Sequence, residues 1–308
     1  MKIIFAGTPD NAADTLRFLT SNGFEVVAVL TRVDAPIGRK RILTPSAVAV
    51  VAEELGLPII KANSVGDAEL DAIRTSGAEL GVVVAYGSIL NKRSLQALSA
   101  GWINLHYSLL PQLRGAAPVQ HAILNGLNHT GVSVFQLDEG MDTGPIWGSA
   151  PLQIEPNDGY QSLLHKLTLL GCSLLSDVLP RIFSRTAHPQ AQEGLPSFAP
   201  KLSRSNAQLA FDVDAKLLAR KVRALNPEPT TWCLWRGEPM QILEAVALPQ
   251  FDESAGEFGV VEKVRDQIIV RCHNSGLSLI RVKPAGKPEM FAKDWFRGIT
   301  APQDRMLS

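Results

Sequence analysis

Leu80–His106 reads LGVVVAYGSILNKRSLQALSAGWINLH. Its first six residues, LGVVVA, are apolar at consecutive positions, the pattern of a strand covered on both faces. A helix is expected near Lys92–Leu98 and a second strand over Trp102–His106. Strand, helix, strand is one crossover of a parallel sheet. The alternation extends back to the start of the chain. Lys2–Phe5 is a short apolar run, and Gly7-Thr8-Pro9-Asp10 turns the chain. Asn11–Ser21 has helical spacing, with Ala12, Leu16 and Leu19 on one face, and Gly23 stops it. Glu25–Thr31 (EVVAVLT) is rich in β-branched residues and reads as a strand. A polar loop leads to a helix over Ser46–Leu55, a strand over Leu57–Ile60 and a helix over Glu69–Thr75. The expected class is α/β, with a Rossmann-like parallel sheet. Ligands of such sheets sit beyond the carboxyl ends of the strands. His106 ends one strand; Asp142 follows another, expected over Val132–Leu137.

The second half has a different texture. Ser162–Leu179 has an apolar stripe of Leu163, Leu167, Leu170 and Leu174 and reads as a core helix. Residues 185–205 (RTAHPQAQEGLPSFAPKLSRS) are dense in loop formers and read as a linker. After a helix over Ala215–Ala224, short strands recur across residues 238–283: QILEAVAL, GVVEKV, QIIVRC and LSLIRV. Closely spaced short strands predict a small antiparallel, OB-like barrel. The expected division is therefore a first domain over 1–184, a linker over 185–205 and a barrel domain over 206–308. A chain of 308 residues accommodates two domains.

Charge narrows the classes only slightly. Residues 1–200 hold 14 basic and 17 acidic side chains, and residues 201–308 hold 16 and 13. A mildly positive second half is compatible with a polyanionic partner without announcing one. Cys172, Cys233 and Cys272 lack both metal-ligand spacing and a disulfide framework. The opening MKIIFAGTPD runs straight into a buried-strand pattern rather than a secretory leader, and no stretch of about 18 apolar residues is evident. The expectation is a cytoplasmic protein with no metal and no membrane.

Asn104, His106 and Asp142 are the candidate reaction groups. Asn104 and His106 are two apart on a strand, so their side chains share a face. Together the three offer an amide donor, an imidazole and a carboxylate at one sheet edge. Each has a bland alternative. A histidine at a strand end is often structural, and an aspartate in DEGMDTGP is often a turn former.

NLHYSLLPQLRGAAPVQHAILNG (Asn104–Gly126) followed by TGVSVFQLDEGMDTGPI (Thr130–Ile146) resembles the signature of folate-dependent formyltransferases. Phe5–Asp10 (FAGTPD), Val82–Gly87 (VVVAYG), the basic loop Gly38–Arg41, Leu225–Trp232 (LNPEPTTW) and Lys283–Met290 (KPAGKPEM) are similar to the branch that formylates methionyl-tRNA. The resemblance runs from residue 3 to about residue 300. There are departures: Tyr107 stands where the family commonly has Gly, Gln112–Leu113 replaces a basic-aromatic pair, and Arg32–Val33 replaces Gln-Pro.

That resemblance implies transfer of a formyl group from 10-formyltetrahydrofolate to the α-amino group of methionyl initiator tRNA, by a monomer. Asn104, His106 and Asp142 would carry the reaction, with a protonated His106 as oxyanion partner. Ser108, Leu109, Leu110 and Pro111, with Leu90, Asp138 and Glu139, would hold the folate. Arg39, Lys40 and Arg41 would meet the tRNA. Tyr107 would narrow the folate entrance. A sugar-nucleotide formyltransferase using the same donor is the alternative reading. A nicotinamide enzyme is disfavoured because GTPDNA lacks the G-x-G-x-x-G turn.

Overall fold

Ile3–Gly7 forms β1 and is buried on both faces, as its unbroken apolar run requires. The structure, a computed structural model, describes residues 1–38, 40–248, 257–273 and 275–308. In chain order there follow α1 (Asp10–Ser21), β2 (Val26–Thr31), the hairpin strands β3 (Ala35–Ile37) and β4 (Ile42–Thr44), α2 (Ala47–Glu54), β5 (Ile59–Lys61) and α3 (Asp67–Thr75). Then come β6 (Leu80–Val84), α4 (Lys92–Leu95), β7 (Trp102–His106), α5 (Pro118–Leu124), β8 (His129–Gln136), β9 (Ile146–Gln153) and α6 (Tyr160–Phe183). The remainder is α7 (Ala215–Leu225), β10 (Trp232–Trp235), β11 (Glu238–Leu248), β12 (Val261–Val264), β13 (Gln267–Cys272), β14 (Ser275–Pro284), β15 (Met290–Phe291) and α8 (Ala292–Arg297).

The chain packs as two units. The first comprises Met1–Pro118, His129–Ile154 and Leu164–Ala199. Its sheet has the order β5-β2-β1-β6-β7-β8-β9. β5, β2, β1, β6 and β7 are parallel, whereas β8 and β9 run antiparallel to their neighbours. Trp102, fully buried, joins a core with Ile4, Leu30, Ile73 and Tyr86. In this unit one hairpin and one edge strand went unread in the sequence. Residues 35–44 fold into a hairpin whose Ile37, Ile42 and Leu43 are exposed, so no buried face marked it. β9 alternates exposed and half-buried positions and carries Pro151, which an edge strand tolerates.

α6 corrects the expectation that no segment is long and apolar enough to cross a membrane; by length and composition this helix is. Its Leu163, Leu167, Leu175, Val178 and Leu179 are buried within the protein, the position of a core helix. Gly171 of α6 sits directly against Leu105 of β7.

The second unit comprises Val119–Asn128, Glu155–Leu163 and Pro200–Ser308. This division differs from one drawn on composition. Residues 185–199, expected as linker, are part of the first unit, and two earlier segments belong to the second. The second unit carries an antiparallel sheet of order β10-β11-β14-β13-β12, with β15 beside β14. Leu307 N donates to Gly259 O at 3.0 Å, and Ser308 N donates to Leu234 O at 3.0 Å. The final residues thus lie between β10 and the segment entering β12. Gly259 has φ +87° and an added Cβ would meet Leu307 O at 2.1 Å, so the close approach requires glycine. Cys233 and Cys272 are buried, which pushes both thiols up to about 12 and leaves them unreactive at neutral pH.

Candidate active site

β7 ends at the residues singled out for chemistry. Period-two alternation places Asn104 and His106 on one face and Leu105 on the other, toward α6. Asn104 is half-buried, and among the described residues its side-chain amide has no hydrogen-bond partner. His106 is buried, 6 % exposed, with its ring edge-on to Phe135 at 6.3 Å. Its Nε2 lies 3.0 Å from Leu113 O. A carbonyl only accepts, so Nε2 carries the hydrogen.

The other ring nitrogen, Nδ1, faces Asp142 Oδ2 at 3.8 Å. That is too long for a hydrogen bond. Asp142 has a left-handed backbone, φ +54°, which aspartate tolerates better than most residues. Its Oδ2 accepts from Gly115 N at 2.7 Å. Burial lowers the pKa of His106, and the Asp142 charge and the Leu113 carbonyl only partly oppose this. Desolvation thus works against a charged imidazole, while the Asp142 carboxylate beside Nδ1 works for one. Sequence spacing carries no information about this desolvation.

Residues 108–113 wrap beside this trio. Ser133, fully buried on β8 opposite His106, donates to Ser108 O at 2.8 Å and accepts from Leu110 N at 3.1 Å. The site thus combines an unpartnered amide, a buried imidazole and a carboxylate with a pinned loop alongside. Such a set suits acyl transfer through a developing oxyanion.

Comparison with known proteins agrees with that chemistry. The family model for formyl transferase matches residues 1–179, and that for the formyl transferase C-terminal domain matches residues 201–300. The chain belongs to the formyl transferase family. The methionyl-tRNA formyltransferase of Renibacterium salmoninarum is 42 % identical to this enzyme over 299 residues, 97 % of each chain. Among solved structures, the methionyl-tRNA formyltransferase of Clostridium thermocellum superimposes with a TM-score of 0.56 at 17 % identity, over 91 % of this chain and 99 % of that one. HypX from Aquifex aeolicus in complex with tetrahydrofolic acid gives 0.69 at 15 % identity, over 96 % of this chain and 47 % of that one. At such identities the structural likeness speaks for the fold alone.

The remaining predicted positions of this formyltransferase fall in varied settings. Ser108, Leu110 and Pro111 are buried and Leu109 half-buried, all in the loop that Ser133 pins. Leu90 packs in the core with Tyr86 and Trp102. Asp138 accepts from Gly140 N at 3.0 Å and from Thr143 Oγ1 at 2.7 Å, so its carboxylate is engaged within its own turn. Glu139 is exposed and pairs with Lys92 at 2.8 Å. Tyr107 does not share the His106 face. Its hydroxyl accepts from Asn11 Nδ2 at 2.9 Å and lies 3.3 Å from Thr168 of α6. The expected narrowing of a folate entrance by Tyr107 therefore has no support in its placement. Lys40 and Arg41 are exposed at the turn of the β3–β4 hairpin, while Arg39 lies outside the described residues.

Sequence reasoning missed Ser133, Gly115, Leu113 and Gln192. Ser133 sits in an apolar strand where a small polar side chain gives no signal. Gln192 sits in the stretch read as linker.

Proposed function

We propose that this formyltransferase moves the formyl group of 10-formyltetrahydrofolate onto the α-amino group of methionyl initiator tRNA. The single observation that supports this most is the meeting of Asn104, His106 and Asp142 at the end of β7, in a chain 42 % identical to a methionyl-tRNA formyltransferase. The same reading makes it a cytosolic monomer.

The residues divide the work. Asn104 donates its free amide N–H to the formyl oxygen as negative charge develops there. The amine nitrogen bonds to the formyl carbon, and the carbonyl electron pair moves to that oxygen. His106, neutral at rest, takes the amine proton at Nδ1, directly or through one water. The resulting imidazolium is stabilised by Asp142 at 3.8 Å. As the oxygen pair re-forms the carbonyl, the bond from carbon to the folate nitrogen breaks. His106 returns its proton to that nitrogen, so the enzyme ends as it began. Leu113 and Gly115 hold the imidazole and the carboxylate from one loop.

Ser108–Pro111 forms the folate-facing wall, supported by its pinning to Ser133. Leu90, Asp138 and Glu139 act through the shape of that region, given their existing partners. Lys40, Arg41 and the neighbouring Arg39 supply phosphate contacts to tRNA, and the second unit contributes tRNA contacts of its own.

The test is incubation with 10-formyltetrahydrofolate and charged initiator tRNA, with mass analysis of the amino acid released from the tRNA. Formylmethionine is expected. An unmodified methionine, with formylation instead of an amino sugar nucleotide offered in parallel, would favour the alternative substrate.

A further inference from the structure

Residues 190–199 lie beyond the 179 residues matched by the first family model and have the composition of a linker. They nevertheless form a strap bonded along both loops of the reaction centre. Gln190 exchanges two backbone hydrogen bonds with Ile146, and Ser197 Oγ accepts from Leu113 N at 2.9 Å. Ala199 N donates to Arg114 O at 2.7 Å.

Gln192 sits in the middle of this strap. Its Nε2 donates to Asp142 O and to Gly144 O, both at 2.8 Å. Its Oε1 accepts from Arg114 NH2 at 2.6 Å and from Arg114 Nε at 3.2 Å. Carbonyls only accept and guanidinium only donates, so the amide has one possible orientation. A ring closes through the chain. Arg114 orients Gln192, Gln192 holds the Asp142 carbonyl, and the Asp142 carboxylate accepts from Gly115, the residue bonded to Arg114. Asp142 is thereby gripped at both ends while its backbone is in the left-handed region.

We propose that Gln192 is a positioning residue for formyl transfer: by clamping the 142–144 backbone it holds the Asp142 carboxylate at its working distance from His106. This rests on the reading of Asp142 given above. Gln192 acts through Asp142 and touches no substrate.

Two variants test it. Gln192→Glu keeps size and the Arg114 acceptor but cannot donate to the two carbonyls. Gln192→Ala removes the side chain. Each is made alone and with Asp142→Asn, and single-turnover formylation is measured at saturating donor and methionyl-tRNA. His106 is titrated by NMR in each variant. Both single variants are expected to slow the reaction by about 10- to 100-fold, since misplacing a reacting group by about 1 Å costs up to about 10²-fold. KM for either substrate should move by no more than about twofold. Added to Asp142→Asn, Gln192→Glu should cost nothing further, because its route of action is already lost. The His106 pKa should fall further in Gln192→Ala as the carboxylate drifts away, a shift that a purely structural strap would not produce. Wild-type turnover by Gln192→Glu in a background where Asp142→Asn is impaired overturns this inference alone. Multiplying losses in the double variant overturn it as well. Wild-type turnover by Asp142→Asn overturns the reading of Asp142 itself, and this inference with it.

Discussion

Ser133→Ala deletes one oxygen from the middle of β8, and the structure gives the expected cost. The hydroxyl has a single hydrogen, committed to Ser108 O at 2.8 Å. It therefore accepts from Leu110 N at 3.1 Å and from Ser149 Oγ at 3.0 Å. Ser149 is exposed and turns to water at little cost. Ser108 O and Leu110 N belong to buried residues, and alanine leaves both without this partner. A buried polar group stranded in this way costs about 1–3 kcal/mol, so the pair should cost roughly 2–4 kcal/mol. In a unit of this size each kcal/mol lowers Tm by about 2–4 °C, giving a fall of roughly 5–15 °C. Scanning calorimetry reads it, with Ser149→Ala as the control expected to stay within about 0.5 kcal/mol of wild type. A Ser133→Ala protein that melts within about 1 °C of wild type would refute the claim that this hydroxyl pins the 108–110 loop.

Five further outcomes follow from the same structure. Asn104→Ala should lower single-turnover formylation by about 10²–10³ with unchanged Tm, the loss typical of one oxyanion donor. His106 titrates below its ordinary value of 6.5; Asp142→Asn removes an influence that raises it, so NMR should find a lower value still. Because the folded state holds His106 neutral, the unfolded chain binds more protons as pH falls through about 6.5, and stability should drop on the acid side, readable by urea midpoints at pH 7 and pH 5.5. Gly259→Ala forces a Cβ onto Leu307 O at a backbone of φ +87°, and should destabilise the second unit by at least about 1–3 kcal/mol in urea unfolding. Reversing Lys40 and Arg41 to glutamate should raise KM for tRNA while leaving donor KM in place, and should flatten the salt dependence of tRNA use.

The β3–β4 hairpin carries three exposed large apolar side chains, Ile37, Ile42 and Leu43, near Lys40 and Arg41.

Much of this was legible in the linear chain. Consecutive apolar residues at Ile3–Gly7 and Leu80–Val84 identified doubly covered strands, and the N–x–H spacing identified one face of β7. Those are local rules of period and side-chain direction. What the tertiary structure alone decided is non-local. The charge of His106 depends on how many groups bury it, and burial outweighs a carboxylate 3.8 Å away. The place of Gln192 depends on a segment 50 residues after Asp142 folding back to meet it. A stretch dense in loop formers has the same composition whether it floats between domains or straps a loop, because hydrogen bonds to distant carbonyls leave no mark on the residues that make them.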